Sequence, residues 1–280
     1  MAEVLGVALG GGGVPGVAGH LGLLTGWEDA GIAPAVVVGT SAGGIVAAQM
    51  AVGMPLNRVT KTWADLANNH LELLDWPLRS FSPIDFVGSA SCPGVMDLWS
   101  LFRGMRGSVA MKSVESWRLG FGVVTTDLDE RASVLIHSGN PMGFMSNDAM
   151  QATSAYPGLF VGVRDGNGHL LADGGILNMV PVDFCRQLGA TKVVGVEIGA
   201  GRFDRVPDRL TDVGLLELVV YRLVEAAEAS DNRIKPDLML RLPTKGGLMD
   251  MRDFEYDFEV GVRAGKASAQ SVKALSAVAS

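Results

Sequence analysis

Apolar blocks and amphipathic stretches take turns along the first 70 residues. Residues 4–9 (Val-Leu-Gly-Val-Ala-Leu) form a short apolar run that ends in four consecutive glycines, Gly10 to Gly13. A run of that length, closed by turn residues, predicts a strand buried on both faces. From residue 16 to 30 the apolar positions Val17, Leu21, Leu24 and Trp27 recur at helical spacing, and Gly31 stops the helix. Residues 35–38 repeat the strand signal and residues 41–52 the helix signal. Pro55 opens a further helix to about residue 69.

Residues 70–116 break this rhythm. Pro77, Pro83, Pro93, Gly88, Gly94, Gly104 and Gly107 interrupt them, with Trp76, Phe81, Phe86, Trp99, Phe102 and Met105 in between. Short helices and loops are expected there, either as a cover over a site or as a peripheral insert. Regular structure resumes with strands at 121–126 and 132–137 and a helix at 147–153. Asp165-Gly166-Asn167-Gly168 then predicts a hairpin between 161–163 and 169–172. A helix at 182–188, a strand at 192–198, a long helix at 208–229, a strand at 237–242 and a closing helix at 255–278 complete the pattern. Strands alternating with helices imply an α/β fold, a mostly parallel central sheet with helices on both faces. No repeat or linker-like stretch divides the chain, so one domain over residues 1–280 is expected.

Composition narrows the function. Of 280 residues, 48% are hydrophobic and the net charge is −7, with no run of Lys or Arg. That argues against a nucleic acid partner. No apolar stretch approaches the ~18 residues that span a bilayer, so any membrane contact would be peripheral. The start, Met1-Ala2-Glu3, lacks the basic opening of a signal peptide. Cys92 and Cys185 show no metal-type spacing and are expected as free thiols in a reducing compartment. These points together suggest a cytoplasmic protein that needs no metal or cofactor.

Candidate chemistry begins at Gly39-Thr40-Ser41-Ala42-Gly43. This is Gly-x-Ser-x-Gly between a predicted strand and a predicted helix, the setting in which the pattern marks a nucleophilic serine. Small neighbours permit a tight turn, and the following helix places its positive end at the serine oxygen. The earlier loop Gly11-Gly12-Gly13-Val14-Pro15-Gly16 formally matches a dinucleotide fingerprint. That fingerprint needs a carboxylate at the end of the second strand, where this chain has Gly39-Thr40-Ser41. The alternative use of such a loop is an oxyanion hole, with backbone amides of consecutive glycines converging on a developing negative charge. Loops after neighbouring parallel strands emerge at one edge, so the two glycine motifs support each other.

A serine nucleophile needs a base. The histidines are His20, His70, His137 and His169, and the Ser, acid, His order of an α/β-hydrolase is poorly met. Asp173 fits better, at a strand end and followed by Gly174 and Gly175, where a carboxylate can approach another backbone. Partial desolvation would raise its proton affinity to suit the task.

With those residues placed, the chain resembles the patatin-like phospholipase family. Leu9 to Gly16 is similar to its oxyanion loop, Gly39 to Gly43 to its nucleophile elbow, and Asp173 to Val182 to its Asp-Gly-Gly/Ala motif. Thr126-Asp127-Leu128 and Ala152 to Phe160 resemble two further family segments. The resemblance implies a three-layer patatin-like fold and a Ser–Asp dyad, Ser41 as nucleophile and Asp173 as base, with Gly11, Gly12 and Gly13 as oxyanion donors, that hydrolyses acyl esters of lipids. One position departs. The family usually carries Arg or Lys where this chain has Pro15, which supplies neither a charge nor an N–H. Two other readings remain at this level: a non-catalytic lipid- or acyl-binding protein on the same fold, and a nucleotide-binding protein using the first glycine loop. Acyl length, head group and oligomeric state have no signature in the sequence.

Overall fold

The computed structural model describes residues 3–68, 112–157, 160–199, 234–245 and 249–276. The expected insert is described only over 112–116, and the expected helix at 208–229 lies outside the described residues. Among the described residues eight strands form one sheet: β1 (Leu5–Leu9), β2 (Val36–Thr40), β3 (Phe121–Asp127), β4 (Ala132–His137), β5 (Val163–Arg164), β6 (Leu170–Asp173), β7 (Lys192–Ile198) and β8 (Leu238–Leu242). Their order is β5-β6-β3-β2-β1-β7-β8, with β4 also paired to β3. The five strands β3, β2, β1, β7 and β8 are parallel, while β4 and β6 run antiparallel to β3, and β5 antiparallel to β6.

The apolar runs become the inner strands because both of their faces are covered. Leu5, Val7 and Leu9 of β1 point into one core, and Ala8 points into the other. The first core takes in α1 (Gly13–Asp29), α2 (Ala42–Ala51), α3 (Leu56–Asn68), α4 (Ser146–Thr153) and α6 (Phe254–Ser276). The second face is covered, among the described residues, by α5 (Val182–Gln187), whose Val182 and Cys185 pack on Val36, Val38 and Val193. The three layers thus follow from strands that are apolar on both sides.

Helix α1 begins at Gly13, three residues earlier than the periodicity predicts, so the end of the glycine loop is itself helical. Pro15 is tolerated because it falls in the first turn, where a backbone N–H has no helical acceptor. Along its length α1 lies against α6 at glycine positions. A Cβ on Gly22 would collide with the Phe258 carbonyl oxygen, and one on Gly261 with that of Gly19. The Trp27 indole N–H donates to Ser268 Oγ at 3.0 Å across the same contact. This close docking fixes α1 and with it the loop at its N-terminus.

Candidate active site

The elbow forms as its composition requires. Val36–Thr40 ends in the sheet and α2 starts at Ala42, leaving Ser41 alone to reverse the chain. Gly39 and Gly43 approach so closely that a Cβ on Gly39 would overlap the Gly43 carbonyl. Ser41 adopts φ 52 and ψ −117, in the region that favours glycine. Such a conformation in a residue with a Cβ typically stores ~1–3 kcal/mol and persists only where its surroundings over-determine it. Here Thr153 of α4 supplies part of that restraint: its Oγ1 accepts the Ser41 amide at 3.0 Å and donates to the Val124 carbonyl. Thr153 carries no sequence signal beyond its place in the segment Ala152 to Phe160; its role is visible only in three dimensions.

Asp173 is 3% exposed and ends β6. Its Oδ1 accepts the Gly175 amide at 2.8 Å, and its carboxylate is within hydrogen-bonding reach of the Ser41 side chain. Burial is the dominant influence and pushes the carboxyl pKa up to about 6, against the two hydrogen bonds, which favour the charged form. The backbone around it is fully held. The Asp173 amide donates to the Ala155 carbonyl at 3.0 Å, and its own carbonyl accepts Thr126 Oγ1 at 3.0 Å. Gly174 is required at close quarters, since a Cβ there would overlap the Val124 carbonyl.

The glycine loop lies beside the serine: a Cβ on Gly11 would be 3.5 Å from Ser41 Cβ. Its amides are unequal. Gly10 N–H donates to the Val196 carbonyl at 2.9 Å and Gly11 N–H to the Met179 carbonyl at 3.2 Å. Of the three amides expected to face an anion, that of Gly11 is therefore already engaged. The amides of Gly12 and Gly13, together with that of Val14, have no acceptor among the described residues, at the positive end of α1. Gly12 has φ 154 and sits on Ile198, where a Cβ would be 2.6 Å from that side chain.

Histidines take other posts. His20, 0% exposed, bonds Gly10 through Nε2 at 2.7 Å. His169 Nδ1 lies 2.9 Å from Asp127 Oδ2 on the protruding end of β3, and the carboxylate raises the His169 pKa. His137 ends β4, and its Nδ1 accepts the Gly139 amide. His70 lies outside the described residues. Among the described residues, then, no histidine is bonded to Ser41.

Beside Ser41 is a narrow apolar cavity of about 40 Å³, lined by Gly13, Val14, Ile45, Trp63, Tyr156 and Phe160 among others. Its walls are mostly apolar, and Ser41 is among the residues that line it. A wider cavity of about 430 Å³ lies at the opposite, amino edge of the sheet, between Glu3, Leu5, Ile32 and Lys273. Size alone would favour it, yet the strained serine, the buried carboxylate and the free amides all stand at the other edge.

Known proteins supply an independent comparison. The profile described as Patatin-like phospholipase matches residues 7–186. The chain is similar to Patatin-like phospholipase domain-containing protein 6 of Mus musculus, 29% identical over 200 residues, which cover 71% of this chain and 14% of that protein. It is also similar to Neuropathy target esterase sws of Drosophila melanogaster, 28% identical over 202 residues, covering 70% of this chain and 13% of that one. Lysophospholipase NTE1 of Kluyveromyces lactis is 27% identical over 216 residues, covering 73% and 13%. The chain thus spans about one-seventh of the length of the relatives it matches. Among solved structures, VipD from Legionella pneumophila aligns with a TM-score of 0.46 at 17% identity, covering 98% of this chain and 66% of that one.

Proposed function

The chain belongs to the patatin-like phospholipase family, and from that premise we propose that it is a serine acyl hydrolase cleaving carboxylic esters of lipids through a Ser41–Asp173 dyad. The observation that carries this reading is the buried Asp173 carboxylate within hydrogen-bonding reach of a serine held at positive φ. Asp173 takes the Ser41 proton as the oxygen attacks the ester carbonyl. A carboxylate with its pKa near 6 is charged at neutral pH yet basic enough to hold that proton in passing. The carbonyl oxygen develops negative charge against the Gly12 and Gly13 amides, and the proton then moves to the departing alcohol. Water next attacks the acyl-serine, giving its proton to Asp173, which returns it to Ser41 as the acid leaves. The apolar residues lining the cavity beside Ser41 favour an apolar group next to the reacting ester. Among the described residues no helix is long and apolar enough to cross a membrane.

A fluorophosphonate probe tests the proposal. Labelling at Ser41 that is lost in Ser41→Ala, together with loss of p-nitrophenyl ester turnover, supports it. A chain that binds fatty acid but neither labels nor turns over would instead be the non-catalytic acyl-binding protein. Thermal stabilisation by NAD or ATP without labelling would return the first loop to nucleotide binding.

A further inference from the structure

We propose that His20 is a positioning residue for the oxyanion loop, locking the Gly10–Gly11 peptide so that the amides of Gly12 and Gly13 face the reacting oxygen. The proposal rests on the hydrolase reading above and adds to it a residue that touches neither substrate nor Ser41.

His20 lies on α1 beneath the loop, 0% exposed, with Nε2 2.7 Å from the Gly10 carbonyl oxygen. A carbonyl only accepts, so Nε2 carries the proton and donates. Burial lowers the His20 pKa to about 4, so the ring is neutral at neutral pH and Nδ1 is a bare acceptor. That nitrogen is buried and has no partner among the described residues. A buried unpaired acceptor is costly, and a leucine of similar volume would fill the position without it. What leucine lacks is the bond to Gly10.

The Gly10–Gly11 peptide is pinned at both ends. Its carbonyl accepts from His20 and its N–H donates to the Met179 carbonyl at 3.2 Å. Gly10 N–H is held in turn by Val196 at 2.9 Å. Four successive glycines would otherwise have wide backbone freedom. Without the histidine donor, the buried Gly10 carbonyl has reason to rotate toward another partner. Rotation would pull the Gly11 amide off Met179 and swing the next amide, that of Gly12, away from the serine. The benefit of oxyanion donors depends on their being in place before charge develops. Their loss should therefore appear in the transition state and not in ground-state binding.

The test compares His20→Leu with His20→Gln, whose Nε2 can stand near the histidine Nε2, in the full chain. Readouts are kcat and KM on p-nitrophenyl butyrate, inhibition by a trifluoromethyl ketone that adds to serine as an anion, and hydrogen exchange over residues 11–14. His20→Leu is expected to lower kcat by about 10–100-fold with KM within about twofold, to weaken the ketone by the same factor, and to speed exchange at 11–14. His20→Gln should recover most of the loss. A folded His20→Leu with unchanged kcat, a loss carried by KM, or a glutamine variant as impaired as leucine overturns the proposal. If His20→Leu does not fold, His20→Asn, too short to reach Gly10, replaces it with the same expectations. Absence of Ser41 labelling in the unmodified chain sinks the hydrolase reading alone. Unchanged exchange at 11–14 in His20→Leu sinks the positioning role alone.

Discussion

Thr125 of β3 stands directly opposite Asp173 of β6 in an antiparallel pair. One step earlier on β3, Val124 pairs with Thr40, the residue before Ser41. The carboxylate is therefore delivered one residue beyond the level of Thr40, the step at which the chain turns at Ser41, by a strand that descends toward it. Strand β3 makes this possible by overshooting β2 with Thr125, Thr126 and Asp127. Strand β6 returns along that overshoot.

In the proposed dyad Ser41 and Asp173 would act on one proton, so their removals should not add. Ser41→Ala and Asp173→Asn are each expected to lower kcat/KM on p-nitrophenyl butyrate by ~10³-fold or more, and the double variant little further. A folded Asp173→Asn with full activity would reject the dyad.

The pH profile should carry the mark of the buried carboxylate. Asp173 has its pKa raised to about 6 by burial, and only the charged form accepts a proton. We expect kcat/KM to rise with pH through about 6 and then level off. A profile flat from pH 5 to 8 would count against Asp173 as base.

The same burial burdens the fold. Unfolded, Asp173 would ionise near ~3.9; folded, it holds its proton to about 6. The folded state binds this proton more tightly, so the contribution to stability falls as pH rises from about 4 to about 6 and stays low above that. Asp173→Asn removes the burden. Chemical denaturation at pH 7.5 should find the variant more stable by on the order of 1–3 kcal/mol, with the difference vanishing toward pH 4. A difference that grows toward acid pH would contradict the sign.

The elbow offers a second release of strain. Ser41 sits at φ 52, which glycine tolerates and alanine does not. Ser41→Gly is expected to be more stable than Ser41→Ala by ~1 kcal/mol, both being inactive. Equal denaturation midpoints would mean that the turn is not strained.

The contact between α1 and α6 admits no side chain at Gly22, where a Cβ would overlap the Phe258 carbonyl. Gly22→Ala should cost ~2 kcal/mol or more by forcing the helices apart. Gly166, in the hairpin turn with open space around it, is the control: Gly166→Ala should fall within ~0.5 kcal/mol of the parent. Similar losses at both would refute the packing argument.

Much of the site was legible because its chemistry is local. Gly39 to Gly43 must be small for the chain to reverse in one residue, and that demand is written in consecutive letters. The neighbouring strands β1 and β2 were legible as apolar runs, and their parallel pairing places the glycine loop and the elbow at one edge. Asp173 was legible as a carboxylate before two glycines. What the residues alone concealed was direction and partner. Asp173 was expected at a strand end; that its strand runs antiparallel to β3 and arrives from above is visible only in the structure. Thr153, Met179 and His20 gave no signal of their posts. The Gly11 amide, equal to its neighbours as a letter, is set apart by Met179.

The sequence by itself determined which segments bury both faces and where the chain turns sharply, and it marked the candidates for nucleophile and base, since each depends on residues close together along the chain. Only the tertiary structure decided that Asp173 is buried near Ser41, that its pKa rises, and that the amides of Gly12 and Gly13 have no acceptor among the described residues. Those outcomes come from strand direction, burial and hydrogen bonds between segments distant along the chain, whose energies no local pattern encodes.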